Sequence, residues 1–155
     1  MNFHSPERDV PPDDYHVVSD DIVLTARLDG TLAVCLYDAV EESGALLHLR
    51  FIARGALQSD VTDRTLASDL LLLDRCITTL HETLPRTTDL QGKIAANVAP
   101  EEGPRNAAEA VLALVGEYLR DAGVTIVSID VDHGAPRQLA FRPTMGQVRI
   151  VEAGA

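Results

Sequence analysis

The sequence predicts a single mixed α/β domain built in layers. Three observations carry that expectation. At 155 residues the chain has the length of one ordinary domain and can bury a full core. Short β-prone runs stand before and between two long helical stretches, an order that suits a layered sheet-and-helix fold rather than a bundle or a β-sandwich. No repeat or low-complexity tract divides the chain, so it reads as one unit.

Residues 1–16 hold three prolines and four acidic side chains among few apolar ones. They are expected to form a flexible arm whose end docks through Tyr15, with the folded domain running from 17 to 155. A first short strand is predicted over 22–27, Asp29-Gly30 signals a turn, and 31–38 (TLAVCLYD) reads as a second strand. Side chains alternate along a strand, so Thr31, Ala33, Cys35 and Tyr37 share one face and Leu32, Val34 and Leu36 the other. Glu41-Glu42-Ser43-Gly44 breaks the chain before a third strand over 45–53, with Leu46, His48 and Arg50 on a common face. Residues 54–65 lack a clear period and are expected to loop. Leu73, Ile77, Leu80 and Leu84 recur at helical spacing, which predicts a helix over 68–84, capped by Ser68 or Thr65 and stopped by Pro85.

A short strand is predicted over 92–98 and a turn over 100–104. The second helix is expected over 106–121, with Ala108, Val111, Leu112, Val115 and Leu119 on one stripe, Asn106 as N-cap and Gly123 just past its end. Residues 124–131 read as a buried strand and 132–136 as a turn. Two last strands, 138–141 and 147–151, close around a Thr144-Met145-Gly146 turn.

Charge and composition exclude several classes of function. Acidic residues outnumber basic ones 24 to 13, for a formal charge of −11. Such a surface repels phosphate backbones, so nucleic acid is not an expected partner. No apolar run approaches the roughly 20 residues that a membrane span needs, so no direct membrane insertion is expected. The polar, acidic start lacks the basic-then-apolar pattern of a signal peptide. Cys35 and Cys76 lie far apart, and reduced thiols and a cytoplasmic address are expected.

No Gly-rich phosphate loop, zinc spacing or nucleophile elbow is present, and neither a cofactor nor a metal is expected. Asp130-x-Asp132-His133 reads as a strand end entering a turn rather than as a ligand set. Cys35 and Cys76 sit among apolar neighbours and read as small hydrophobes. His48 differs from the other histidines because it is the single imidazole inside a strongly apolar strand.

The segment Thr25-Ala-Arg-Leu-Asp-Gly-Thr31-Leu-Ala-Val-Cys-Leu-Tyr-Asp38 resembles the signature of the CheD family of chemoreceptor glutamine deamidases. There a threonine lies six residues before the end of a Leu-Gly-Ser-Cys turn that runs into a Val-Ala-Val-Cys-Leu-Tyr-Asp strand. Residues 33–38 (AVCLYD) reproduce that strand. The family histidine follows the nucleophile by 17 residues, and 48 − 31 = 17 in this chain. Further motifs follow in the same order: Lys93-Ile94-Ala95, Gly103-Pro104-Arg105-Asn106, Asp130, Arg137 and Gly146. The resemblance covers residues 15–151.

What the resemblance implies is a layered α/β/β/α sandwich with mixed sheets, similar to deamidases of the cytotoxic necrotizing factor type. It also implies a site made of Thr31 at the nucleophile position, His48 as general base and Thr25 orienting His48. The family uses a cysteine where this chain has Thr31, and a threonine hydroxyl is a far weaker acid than a thiol. Asp29, Ala96-Asn97 and Asp132-His133 stand where the family has glycines. Two functions follow from the resemblance. One is a catalytically impaired regulator that binds chemoreceptor cytoplasmic helices or a CheC-type phosphatase. The other is an active protein-glutamine deamidase with Thr31 as nucleophile. An unrelated binding role on the same fold stays open beside them.

Overall fold

A computed structural model of the chain describes residues 6–50, 59–84, 86, 89–98 and 105–153, with the backbone alone for 59–66 and 105–108. The elements in order are β1 (Glu7–Asp9), β2 (Asp14–Val18), β3 (Val23–Leu28), β4 (Leu32–Asp38), β5 (Ser43–Leu49), α1 (Ser59–Thr83), β6 (Leu90–Asn97), α2 (Arg105–Asp121), β7 (Val124–Asp132), β8 (Arg137–Arg142), a 3₁₀ turn (Pro143–Met145) and β9 (Gln147–Glu152). The strands form a four-stranded sheet in the order β1-β3-β8-β9 and a five-stranded sheet in the order β2-β5-β4-β6-β7. Both sheets are mixed, since β1 runs parallel to β3 and β6 parallel to β7 while the other pairs are antiparallel.

Every residue of β4 is buried, because the strand is covered on both faces. Ala33, Cys35 and Tyr37 face the four-stranded sheet and pack with Leu24, Ala26, Leu28, Leu139 and Phe141. Leu32, Val34 and Leu36 face the other way, beneath Leu73, Cys76, Leu80, Val111 and Val115 of the two helices. The alternation expected along 31–38 is therefore the alternation between two cores. Fully burying an aliphatic side chain stabilises a fold by about 1.5–3 kcal/mol, so this one strand anchors both layers.

The chain is the layered mixed α/β domain expected, with two sheets face to face. Both helices lie on the five-stranded sheet, and the fourth layer of the expected sandwich is not among the described residues. Gly30, Gly123 and Gly146 all take positive φ, at the Asp29-Gly30 turn, past the end of α2 and in the β8–β9 hairpin. At Gly146 a side chain is also excluded by space, since a Cβ would come within 2.5 Å of the Tyr37 ring.

Four local expectations change. The span 1–16 contains β1 and most of β2, paired to β3 and β5 through main-chain bonds that composition does not reveal. Val10 and Val18 pin this segment into the core between the sheets. Residues 59–65, expected to loop, are the first turns of α1, where the apolar period read from Leu73 onward does not extend. The strand expected over 45–53 is β5, ending at Leu49. The strand expected to be buried, β7, is an edge strand, and Val127, Ile129 and Val131 are exposed along it. Residues 51–58, Pro85 and the turn over 100–104 lie outside the described residues, as do the side chains of Thr65 and Asn106.

The core between the sheets sets a clear stability contrast. Phe141→Ala removes a fully buried ring and should lower the unfolding free energy by about 3–5 kcal/mol. Val127→Ala, on the exposed edge, should change it by no more than about 0.5 kcal/mol. Urea titration of the two variants checks both values.

Candidate active site

The site lies where β4 begins, between the two sheets. Gly30, at φ 69°, turns the chain so that Thr31 precedes the strand. On the neighbouring strand Ala33 pairs with His48, so His48 sits diagonally beside Thr31 on the same face. The Thr31 hydroxyl is 2.7 Å from His48 Nε2. Thr31 is 9% exposed and His48 1% exposed. Residues 17 apart in sequence are thus brought into direct contact.

The tautomer follows from the other ring nitrogen. His48 Nδ1 lies 2.8 Å from the Val10 carbonyl oxygen, which can only accept, so Nδ1 carries the proton. Nε2 of the neutral ring is then bare, and the Thr31 hydroxyl donates to it. Burial pushes the imidazole below its ordinary value of 6.5, while the Val10 carbonyl and the charges of Asp9 and Asp13 act against that shift and Arg50 acts with it. A neutral imidazole holding a hydroxyl proton is the resting arrangement of a general base.

Thr25 does not touch the ring with its hydroxyl, which donates to Asp9 at 3.1 Å. Its link to His48 runs through the main chain. The Thr25 carbonyl accepts the Val10 N–H at 2.8 Å, and the Val10 carbonyl accepts from His48. The link between β1 and β2 therefore crosses from one sheet to the other and supplies the imidazole's orienting group. It is fastened again where the Asp13 N–H donates to the His48 carbonyl at 2.9 Å and where Arg50 pairs with Asp13. Val10 orients the ring through its carbonyl alone, so no side-chain signal marks that role in the sequence.

Asn97 closes the opposite side of Thr31. It is 1% exposed, and its N–H donates to the Thr31 carbonyl at 2.9 Å. Its side-chain oxygen accepts the Gly30 N–H at 2.8 Å, and its amide nitrogen faces Asp132 Oδ2 at 3.3 Å and the Gly134 and Ala135 carbonyls at 3.2 Å each. The sequence signal was present as a polar residue closing the apolar run Ile94-Ala95-Ala96. Asp29 is half-buried in the turn itself. Asp130 and Asp132 are directed at Arg137, at 3.2 Å and 3.6 Å. Among the described residues no group of three His, Cys, Asp or Glu side chains is placed to hold a metal.

Neither cysteine belongs to the site. Burial pushes the Cys35 thiol far up, although Lys93 pulls the other way, and pushes Cys76 up to about 12. Cys35 and Lys93 instead border a cleft of about 190 Å³ with Asp130 and Ile150. Lys93 Nζ donates to the Gly146 carbonyl at 2.9 Å.

Fold and site together define a two-sheet α/β domain bearing a buried hydroxyl–imidazole pair, an arrangement that acyl-transfer enzymes use. No family model matches the chain. It is 26% identical to the probable chemoreceptor glutamine deamidase CheD of Methylobacillus flagellatus, across 96% of this chain and 74% of that protein. It is 24% identical to the corresponding protein of Paraburkholderia xenovorans and 23% identical to that named CheD 1 in Burkholderia thailandensis. Those matches span 96% of this chain but only 60% and 64% of the relatives' length. Along 96% of its length the chain is similar to proteins named probable chemoreceptor glutamine deamidase CheD.

Two measurements check the electrostatics. His48 and the half-buried His16 both have lowered pKa values, led in each case by burial, so the unfolded chain binds more protons just below pH 6.5. Their burial stabilises fully above that pH and progressively less below it, so stability should rise between about pH 5 and pH 7. His48→Gln should flatten that rise, as followed by urea melts at several pH values. Titration with a chromogenic disulfide at pH 8 should find both cysteines unreactive in the native protein and both reactive in denaturant.

Proposed function

We propose that the chain is a chemotaxis protein that binds chemoreceptor cytoplasmic helices and has lost most or all of its deamidase activity. The observation that carries this reading is the hydroxyl of Thr31 standing 2.7 Å from His48 Nε2, where the family places a thiol. A hydroxyl attacks an amide only if its proton is removed as the bond forms, and the resulting imidazolium must be stabilised. Here the ring's second nitrogen meets a neutral carbonyl rather than a carboxylate. The two aspartates that favour its charged form, Asp9 and Asp13, are exposed, and Asp13 is already paired with Arg50. A CheC-type phosphatase is the second partner proposed. No helix among the described residues is long and apolar enough to cross a membrane. The site of action proposed is the cytoplasm.

The same contact supports a second reading, an active protein-glutamine deamidase. In it the Thr31 oxygen attacks the side-chain amide carbon while its proton passes to His48 Nε2. That proton then goes to the amide nitrogen as the C–N bond breaks and ammonia leaves. Water hydrolyses the Thr31 ester, giving glutamate and restoring the hydroxyl. Thr25 acts as a positioning residue through the Val10 peptide.

Incubation with chemoreceptor cytoplasmic fragments separates the two readings. Native protein should retain the fragments in a pull-down and release no ammonia above a blank, with no glutamine-to-glutamate mass change. Deamidation by the native chain that disappears in His48→Ala establishes the second reading and overturns the first. Failure to retain any fragment removes the receptor from both.

A further inference from the structure

The carboxamide of Asn97 is held by more partners than a turn lock needs. Strand register continues from Leu32 opposite Ala96 to Thr31 opposite Asn97, and Asn97 shares a face with Ala95 in the core between the sheets. Its side chain therefore stands beside Thr31 on the flank away from His48. One backbone N–H, that of Gly30, points at its oxygen, and three acceptors converge on its nitrogen. A primary amide has two N–H groups to give and a carbonyl to be polarised, so this set matches it. A carboxylate in the same place would turn a second oxygen toward three acceptors, one of them ionised, and be repelled.

We propose that Asn97 occupies, from within the fold, the position beside Thr31 that is shaped for a side-chain carboxamide, and so blocks the site against substrate amides. The proposal rests on the reading of Thr31 and His48 as an amide-attacking pair. The Gly30 N–H is the donor adjoining the nucleophile position, the kind of group that stabilises a developing oxyanion, and Asn97 consumes it. The groups around Asn97 thus favour an amide over an acid, and Asn97 keeps them occupied. Removing its side chain uncovers a primary-amide subsite without changing either reacting residue.

The test uses a thiol reporter and a matched pair of alkylating reagents. In Thr31→Cys the new thiol lies beside the position, and iodoacetamide carries a primary amide where iodoacetate carries a carboxylate. Alkylation rates at residue 31 are measured for both reagents in Thr31→Cys and in Thr31→Cys with Asn97→Ala. The expected result is that the amide-to-acid rate ratio rises at least tenfold on removing Asn97. A ratio unchanged within twofold, whether both rates rise together or neither moves, overturns the proposal and leaves Asn97 a structural lock. Cys35 reports general loosening, because it is buried in the same inter-sheet core. Should Cys35 become reactive in the Asn97→Ala protein, Asn97→Ser decides the matter by the same ratio, since its shorter side chain keeps a polar group in the fold but vacates the space of the carboxamide. No chemoreceptor enters the assay, so a failed pull-down and a failed ratio are separate outcomes.

Discussion

Burial of β4 on both faces is the constraint on which the rest of the structure depends. A strand in that position needs every main-chain group paired and every side chain apolar or otherwise satisfied, and β5 and β6 supply the pairing on its two edges. The helices then have one core to cover and the four-stranded sheet another. The same constraint shapes the site. Thr31 enters at the end of this dry strand, so its hydroxyl has to find a partner inside the protein, and His48 provides one.

The groups that meet at the site are for the most part neutral, and that too follows from desolvation. Isolated charges are costly to bury, whereas hydroxyl, imidazole, carboxamide and peptide groups can satisfy one another. Two charged pairs stay toward the surface, Asp13 with Arg50 and Asp21 with Arg142, and the largely buried Arg137 is matched by Asp130 and Asp132. The arrangement stabilises a fold well and stabilises an imidazolium poorly.

Much of the fold was legible because its physics is local. Helical spacing from Leu73 to Leu84 and from Val111 to Leu119 marked the faces that α1 and α2 bury. Alternation along residues 31–38 marked two faces, and the structure makes both of them core. The misplaced elements share a cause. Val124–Asp132 carries the β-branched residues of a buried strand, yet whether it lies at the centre or the edge depends on which strands pair with it. The proline-rich start offers few apolar residues, and its order comes from main-chain bonds to strands that lie further along the chain. The first turns of α1 lack an apolar period, so nothing in their pattern announced a helix.

By itself the sequence determined the resemblance to CheD proteins, the strand that forms the core, and the candidates Thr31 and His48. It could do so because residue types at set spacings along a strand and its neighbour carry that information. Only the tertiary structure decided how those candidates are connected. It gave the orienting bond to the Val10 carbonyl, turned the Thr25 hydroxyl to Asp9, and set the Asn97 carboxamide against the Gly30 N–H. Each of these contacts joins separate elements, and two of them use main-chain atoms that every residue possesses. Such bonds leave no mark on residue type, and they exist only once the two sheets have closed on each other.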